Sequence, residues 1–231
     1  MDFDLLVHEA WPAYEQRTYD GWILRYAGGV TKRANSVLAL GRPADLAGAI
    51  EAAEAFYAEK GQRSVFSVGV GAMPGLDDEL AARGYGVVDP TVIMVGDGVP
   101  DPVRQVRVEE RPWPGWLETW WAVDGRYAEG VEAAERICRG VPALYAAVEE
   151  DGRAVAVGRG VPQGETIGIY CMATLPRARR RGLARSVLRA LVRRSGARTA
   201  YLVTTAPNEA AQALYRSEGF EARARYHYRV K

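Results

Sequence analysis

Residues 175–194 read "LPRARRRGLARSVLRALVRR", and this stretch decides how the second half of the chain folds. Beyond Gly182 the apolar residues recur at helical spacing, as Leu183, Val187, Leu188, Leu191 and Val192. The arginines fall four residues apart on the opposite side, as Arg181, Arg185, Arg189 and Arg193. The pattern predicts an amphipathic helix that packs its apolar stripe on a core, with Arg189 to Arg194 as ordinary solvated surface.

The basic residues at the start of this helix need a separate explanation. Arg179, Arg180 and Arg181 stand at the positive end of the helix macrodipole, where cations are unfavourable unless an anion binds there. The apolar segment 166–175, "TIGIYCMATL", predicts a buried strand just before them. A strand that runs into a glycine-containing turn and a helix presents free backbone N–H groups to a phosphate, and Gly182 lacks the Cβ that would block its approach. We therefore expect an anion site for a di- or polyphosphate, with small Ala184 assisting the close approach.

The composition argues against several classes of protein. The chain has 231 residues, 48% of them hydrophobic, and its formal net charge of +1 gives no overall attraction to nucleic acid or anionic membranes. Two cysteines, Cys138 and Cys171, fit a reduced cytosol rather than a disulfide framework. The N-terminus does not resemble a signal peptide, and no apolar run approaches the about 20 residues of a membrane span. Because His8 and His227 are far apart in the sequence, we expect no metal site. Taken together, these features predict a cytoplasmic protein, monomer or homodimer, with no nucleic-acid or membrane partner.

The sequence contains one clear linker, and the order of predicted strands and helices before it is repeated near the end of the chain. The turn formers of "GDGVPDPVRQ", residues 96–105, separate residues 1–98 from residues 104–231. The first half reads strand, helix, strand, helix, strand, and the end of the second half repeats that order. The repeated order predicts a duplicated α+β unit whose first copy is degenerate. "GVGAMPG", residues 69–75, mimics a dinucleotide fingerprint, but Pro74 at its sixth position favours a plain turn.

Two motifs resemble the acetyl-CoA-binding segment of the GNAT (N-acetyltransferase) superfamily. The first, Arg/Gln-x-x-Gly-x-Gly/Ala, is carried by Arg179, Gly182 and Ala184. The second, Asn-x-x-Ala-x-x-Leu-Tyr followed by Gly-Phe, is carried by Asn208, Ala211, Leu214, Tyr215, Gly219 and Phe220. The resemblance implies an α+β GNAT fold over residues 104–231, with a mixed, mostly antiparallel sheet flanked by helices. The N-terminal half, which lacks the first motif, is then a degenerate tandem copy that binds no cofactor.

The resemblance also implies roles for individual residues, with acetyl-CoA as co-substrate. Backbone amides of Arg180 to Arg185 would hold the CoA pyrophosphate, and backbone groups of Met172 to Thr174 would pair with the pantetheine arm. Asn208 would contact that arm, and Tyr215 would protonate the departing thiolate. The implied CoA-binding set is Met172, Ala173, Thr174, Arg179, Arg180, Arg181, Gly182, Leu183, Ala184, Arg185, Asn208 and Tyr215.

The general base is the weakest part of the resemblance. Family members often carry a glutamate in the middle of the central strand, but here that segment reads "IGIYCMAT". We expect Glu165, at the start of the strand, to act through water, while Tyr170 lies further along. Glu129, Glu132 or no base at all are the alternatives. The oxyanion of the transfer would take its hydrogen bond from the backbone near Met172.

Residues 113–130, "WPGWLETWWAVDGRYAEG", hold four of the six tryptophans and would border the acceptor site in this fold. Ordinary packing explains most of these side chains. An aromatic cage for a cationic amine, assisted by Asp124 and Glu129, is the sharper interpretation.

Three functions compete on this sequence. The leading hypothesis is an acetyl-CoA-dependent N-acetyltransferase that acts by direct transfer on a small amine or a peptide N-terminus. A non-catalytic acyl-CoA sensor would explain the missing mid-strand carboxylate. A nucleic-acid-binding module would explain nine arginines and no acidic residue between Thr166 and Asn208.

Overall fold

A computed structural model describes residues 1–125 and 130–231 of the chain. The chain forms two compact units, one of Met1–Val92 with Ala224–Lys231 and the other of Ile93–Arg223. This division differs from the expected halves 1–98 and 104–231. The last residues return to unit 1 because Val65 to Val68 pair antiparallel with His227 to Val230.

Unit 1 is a sheet with helices. The helices are α1 (Phe3–Ala10), α2 (Leu46–Glu59) and α3 (Leu76–Ala82). The strands are β1 (Glu15–Tyr19), β2 (Trp22–Tyr26), β3 (Val37–Leu38), β4 (Val65–Val68), the first part of β5 (Gly86–Asp97) and most of β11 (Glu221–Val230). Their order is β1-β2-β3-β4-β11-β5. Only a helical crossover can join neighbouring parallel strands compactly, and here α2 connects the parallel pair β3 and β4.

The core of unit 1 forms where α2 packs on the strands. Helical spacing buries Ile50, Phe56 and Tyr57 on one face of α2, and the core also takes in Trp22 and Phe66. Gly61 follows the C-cap of α2 with a φ of +64°, a conformation that favours glycine after a helix end.

The glycine-rich segment 69–75 has a structural use. Gly71 donates its N–H to Asp4 Oδ2 at 2.7 Å, and a Cβ on Gly69 would collide with the Asp4 carboxylate. The glycines therefore let the turn close around a nearly buried carboxylate of α1. This agrees with the interpretation of the segment as a turn.

Unit 2 also combines strands with helices. The helices are α4 (Pro114–Asp124), α5 (Gly130–Cys138), α6 (Leu183–Ser195) and α7 (Glu209–Ser217). The strands are β6 (Arg107–Glu109), β7 (Leu144–Glu150), β8 (Arg153–Gln163), β9 (Thr166–Thr174) and β10 (Thr199–Thr205), with the end of β5 beside β10. Their order is β5-β10-β9-β8-β7-β6. The strands β6 to β9 are antiparallel, while β9 and β10 are parallel and joined by α6. The predicted mixed sheet flanked by helices is confirmed.

Asp77 gives unit 1 a pH-dependent contribution to stability. Its carboxylate accepts two hydrogen bonds from Arg229, at 2.8 and 2.9 Å, and contacts His227 Nε2 at 2.7 Å. The Arg229 hydrogen bonds lower the pKa of Asp77 to about 2. Because this folded pKa is depressed, the stabilisation is present above the unfolded value near ~3.9 and is lost as pH falls towards about 2.

We expect Asp77→Asn to flatten the fall in unfolding free energy between pH 5 and pH 2.5, measured by urea titration. Asp78→Asn, one residue along α3 at an exposed position, is the matched control and should retain the wild-type slope. Equal slopes for Asp77→Asn and wild type would contradict this assignment.

Candidate active site

The start of α6 presents a run of unused backbone amides. Gly182 is the N-cap, with a φ of +75° and no side-chain cap, and the first intrahelical bond joins the Ser186 N–H to the Gly182 carbonyl at 3.2 Å. Arg180 also has a left-handed φ, +64°. Within residues 1–125 and 130–231, the N–H groups of residues 180–185 donate to no other group. Successive unpaired amides in such a turn form a concave site for an anion.

The structure adds a second reason for a glycine at position 182, beside the expected close approach of a ligand. A Cβ built on Gly182 meets nothing within 4 Å, so the absence of a side chain is not needed to avoid the protein itself. The left-handed φ favours glycine here, because an L residue is strained in that region. Upstream, a 3-10 turn at Pro176–Ala178 buries Ala178, and Arg179 Nε donates to the Thr174 carbonyl at 3.2 Å, which fixes the loop to the end of β9.

The arginines along one side of α6, and Arg181 just before it, pair with acidic side chains of unit 2. Arg181 binds Glu150 through two hydrogen bonds, at 2.6 and 3.1 Å. Arg193 pairs with Asp101 at 2.9 Å. The expectation that Arg189 is ordinary surface is wrong, because its side chain is only 15% exposed and is hydrogen-bonded to the buried Glu218.

Two arginines of the loop stay available. Arg177 and Arg180 are exposed and, in the part of the chain that the structure describes, have no hydrogen-bond or ion-pair partner. The positive charge that remains for an incoming anion therefore lies with these two side chains and with the amides, while Arg181 is already engaged.

The central strands separate beside this loop. The ladder between β9 and β10 runs from Thr166 and Thr199 to Ile169 and Leu202, and both strands continue beyond its end. On the other side of β9, the register with β8 passes from Tyr170 directly to Ala173. The bulge at Cys171 and Met172, where Cys171 has a φ of +51°, thus leaves Met172 without a partner residue in either ladder.

Gly158 makes room for this bulge. It lies opposite the skipped residues on β8, and a Cβ there would stand 2.5 Å from Met172 Sδ and 2.8 Å from Val187. A larger residue would push β9 or α6 away. The structure thus places the open edge of residues 172–174 directly before the loop that leads to the unused amides.

Tyr215 and Asn208 lie on the next helix, α7. Asn208 is exposed and is the N-cap, since its Oδ1 accepts from the Ala211 N–H at 3.2 Å. Tyr215 is 6% exposed, and its hydroxyl has no hydrogen-bond partner among the described residues. Burial raises the pKa of Tyr215 to about 12, so the hydroxyl remains protonated at neutral pH.

The structure does not bring Glu165 to this place. Glu165 sits before β9, with its side chain 81% exposed and 3.9 Å from Arg198. Six strand steps separate Thr166 from Met172, about 20 Å at about 3.3 Å per residue. Glu132 is exposed in the first turn of α5, and Glu129 lies outside the described residues. Tyr170 is hydrogen-bonded to Tyr201 at 2.7 Å.

Two of the tryptophans of α4 are buried. Trp116 is fully buried and donates Nε1 to the carbonyls of Ala146 and Gly158, at 3.1 and 3.2 Å. Trp120 is buried beside it, with ring centroids 5.6 Å apart. Trp113 instead carries Arg107 over its ring at 4.3 Å. Packing therefore accounts for Trp116 and Trp120, and a cage would have to use other side chains.

The corresponding helix of unit 1 starts differently. At α2 the Asp45 side chain accepts from the Gly48 N–H at 3.1 Å, and the Asp20 carboxylate accepts from the Ala44 N–H at 2.6 Å. Carboxylates of the chain itself thus occupy amides at this helix start. An anionic ligand would meet like charge there, in contrast to α6.

Residues 1–125 and 130–231 contain neither a membrane-spanning helix nor a cluster of metal ligands. No helix in these ranges is long and apolar enough to cross a membrane. The same residues contain no group of three His, Cys, Asp or Glu side chains that could hold a metal ion.

Several known proteins are similar to this chain in sequence or in fold. The protein described as "Uncharacterized N-acetyltransferase YobR" of Bacillus subtilis (strain 168) is 28% identical over 98% of this chain and 96% of its own length. A GCN5-related N-acetyltransferase from Kribbella flavida has the same fold, with a TM-score of 0.70 at 19% identity over 95% of this chain and 90% of that one. A tandem GNAT protein from the clavulanic acid biosynthesis pathway aligns over 83% of this chain and 71% of that one, with a TM-score of 0.62 at 16% identity.

The family described as "Probable histone acetyltransferase Rv0428c C-terminal" matches residues 6–229. This match takes in both units and the loop before α6. The chain therefore belongs to this family of the GNAT superfamily and is an acetyltransferase of the GNAT type.

Proposed function

We propose that the protein transfers an acetyl group from acetyl-CoA directly to a primary amine, of a small molecule or a peptide. The observation that carries this proposal is the run of six unused amides, residues 180–185, at the start of α6. It lies at one end of an open strand edge, and the following helix carries a buried tyrosine with an unpaired hydroxyl within the described residues.

The residues present fit the CoA part of the substrate. The amides of residues 180–185 would bind the pyrophosphate, with the positive end of the α6 dipole behind them. Arg177 and Arg180 would add charge, since neither has a protein partner in the described ranges. Residues 172–174 would pair with the pantetheine amides as an added strand, because β10 no longer covers this edge. The exposed Asn208 would contact the same arm.

The transfer requires three tasks of the protein. It must orient the thioester, donate a hydrogen bond to the carbonyl oxygen as the amine attacks, and supply a proton to the leaving sulfur. We assign the second task to the backbone at Met172, which has no partner residue in either ladder. We assign the third to Tyr215. As the C–S bond breaks, its hydroxyl proton passes to the thiolate while the acetyl carbon keeps its new bond to nitrogen.

Tyr215 suits a proton donor because it stays protonated over the working range. With its pKa raised to about 12 by burial, turnover should not fall on the alkaline side until well above the ordinary tyrosine value near ~10. The amine attacks in its neutral form, and its nitrogen must lose a further proton once the new C–N bond has formed. Because Glu165 lies at the far end of β9, we propose that water takes this proton and that the Tyr215 phenolate recovers a proton from water.

The descriptions of the relatives support the proposed acceptor class. The family description speaks of a histone acetyltransferase and the Bacillus relative of an N-acetyltransferase. Both names are consistent with an amine acceptor. We further propose that unit 1 is a second GNAT-like copy without a CoA site. Its parallel pair β3 and β4 is also joined by a helix, but Asp45 caps the Gly48 amide of that helix and Asp20 accepts from the Ala44 amide just before it.

Calorimetry with acetyl-CoA, followed by thiol release over an amine panel, tests the proposal. We expect saturable binding and release of one CoA thiol per acetylated amine. Binding without thiol release across the panel would favour the non-catalytic sensor. No acetyl-CoA binding, together with DNA affinity that falls steeply with salt, would favour a nucleic-acid module. The acidic partners of Arg181, Arg185, Arg189 and Arg193 argue against that module.

A further inference from the structure

Glu218 is a buried carboxylate to which the proposed chemistry assigns no role. It directly follows α7, and its side chain is 1% exposed. Buried carboxylates need paired charges or hydrogen bonds, since desolvation of a lone charge is expensive. Here the partners come from a different helix, which makes the residue more than a local cap.

Two arginines of α6 converge on this carboxylate. Arg189 donates Nε to Oε2 at 2.6 Å and Nη2 to Oε1 at 3.2 Å. Arg185 Nε lies 2.5 Å from Oε1, and Arg185 Nη2 donates to the Ser217 hydroxyl at 3.0 Å. One carboxylate thus ties the first two turns of α6 to the end of α7.

Both ends of this tie belong to the proposed site. Arg185 contributes the last of the six unused amides. On the other helix, the N–H groups of Glu218 and Phe220 both donate to the Tyr215 carbonyl at 3.0 Å. Glu218 is therefore connected to the amides on one side and to the proposed proton donor on the other.

We propose that Glu218 is a positioning residue that sets the distance between the amide site of α6 and the Tyr215 hydroxyl. This inference rests on the proposed function. A substrate anchored by its pyrophosphate presents its sulfur at a position fixed by the length of the pantetheine arm. The donor must therefore be held at a matching distance from the anchor, and misplacement by about 1 Å can cost about 100-fold in rate. The affinity of the α6 amides for the pyrophosphate would change little.

Three variants test this role by steady-state kinetics. In Glu218→Gln the side chain keeps its shape but loses the charge that holds both arginines, and we expect kcat to fall about 30-fold or more while KM for acetyl-CoA changes less than about threefold. Asp101→Asn is the matched control, because Asp101 also pairs with an arginine of α6, Arg193, but at the exposed end of the helix. Its kcat should stay within about threefold of wild type.

A double variant separates positioning from general support of the fold. If Glu218 acts through Tyr215, then Glu218→Gln added to Tyr215→Phe should lower kcat no further, because the group being positioned is already absent. If the two losses multiply, or if Glu218→Gln behaves like Asp101→Asn, the positioning role is overturned.

Two controls keep the outcomes distinct. Should Glu218→Gln unfold because Arg189, the less exposed of the two arginines, is left without a counter-charge, Glu218→Gln with Arg189→Gln removes the carboxylate and that arginine. Arg185, whose side chain is 38% exposed, then remains as the only charge of the three. Its melting temperature should recover while kcat stays low, and recovery of kcat would refute the proposal. A wild-type protein that releases no thiol with any amine would instead refute the proposed function.

Discussion

Replacing Gly182 with glutamate is expected to weaken acetyl-CoA binding by about 100-fold or more. The new carboxylate would stand among the amides of residues 180–185, where the pyrophosphate is expected, and would repel it while competing for the same donors. Loss of one charge-assisted hydrogen bond alone is worth about 1.5–3 kcal/mol, and about 2.7 kcal/mol is a factor of about 100 in affinity. Calorimetric titration with acetyl-CoA gives the affinity directly.

The other end of α6 supplies a matched control. Gly196 is the C-cap, with a φ of +69° against +75° for Gly182, and a Cβ on either glycine meets nothing within 4 Å. Gly196→Glu therefore introduces the same side chain and a similar left-handed strain. We expect it to cost stability and to bind acetyl-CoA like the wild type. Equal affinities for the two variants would exclude the amides of α6 as the anion site.

Replacing Tyr215 with phenylalanine is expected to lower kcat by about 100- to 1000-fold and to leave KM for acetyl-CoA nearly unchanged. The hydroxyl has no partner in the described ranges, so its removal should cost little stability. General acid catalysis by a positioned side chain is worth about 10²–10⁴ in rate. Steady-state kinetics and thermal unfolding of the same preparation measure both effects.

Tyr57 is the control residue, because its substitution should lower stability and leave kcat unchanged. It is also buried, but its hydroxyl donates to the Arg25 carbonyl at 2.9 Å in unit 1. Tyr57→Phe should lower the unfolding free energy by about 1 kcal/mol and leave kcat unchanged. If Tyr215→Phe retained full kcat, the leaving thiolate would have to take its proton from another source.

Local patterns were enough to predict several elements of this fold. The apolar spacing between Leu183 and Val192 predicts α6, and the apolar run 166–175 predicts β9. Strict alternation in residues 222–230 predicts the last strand but not its partner. The return of that strand to β4 depends on pairing over more than 150 residues, which alternation cannot encode. This is why the observed unit boundaries differ from those expected.

In the proposed site, too, features set by neighbouring residues could be predicted, while contacts between residues far apart in the sequence could not. Arginines at a helix start and the glycine that follows them predicted an anion site from local chemistry alone. The partners of the arginines were not visible, because Glu218 lies 29 residues from Arg189 and Asp101 lies 88 residues before it. The left-handed Cys171 has no local signature either, since the bulge also requires the small Gly158 on the facing strand.

Backbone amide resonances of ¹⁵N-labelled protein, followed during titration with acetyl-CoA, show whether the start of α6 binds the pyrophosphate. We expect the largest shifts at residues 180–185, and we expect them to saturate together with the calorimetric binding curve. Binding that saturates while these six amides stay unshifted would mean that the pyrophosphate is held elsewhere.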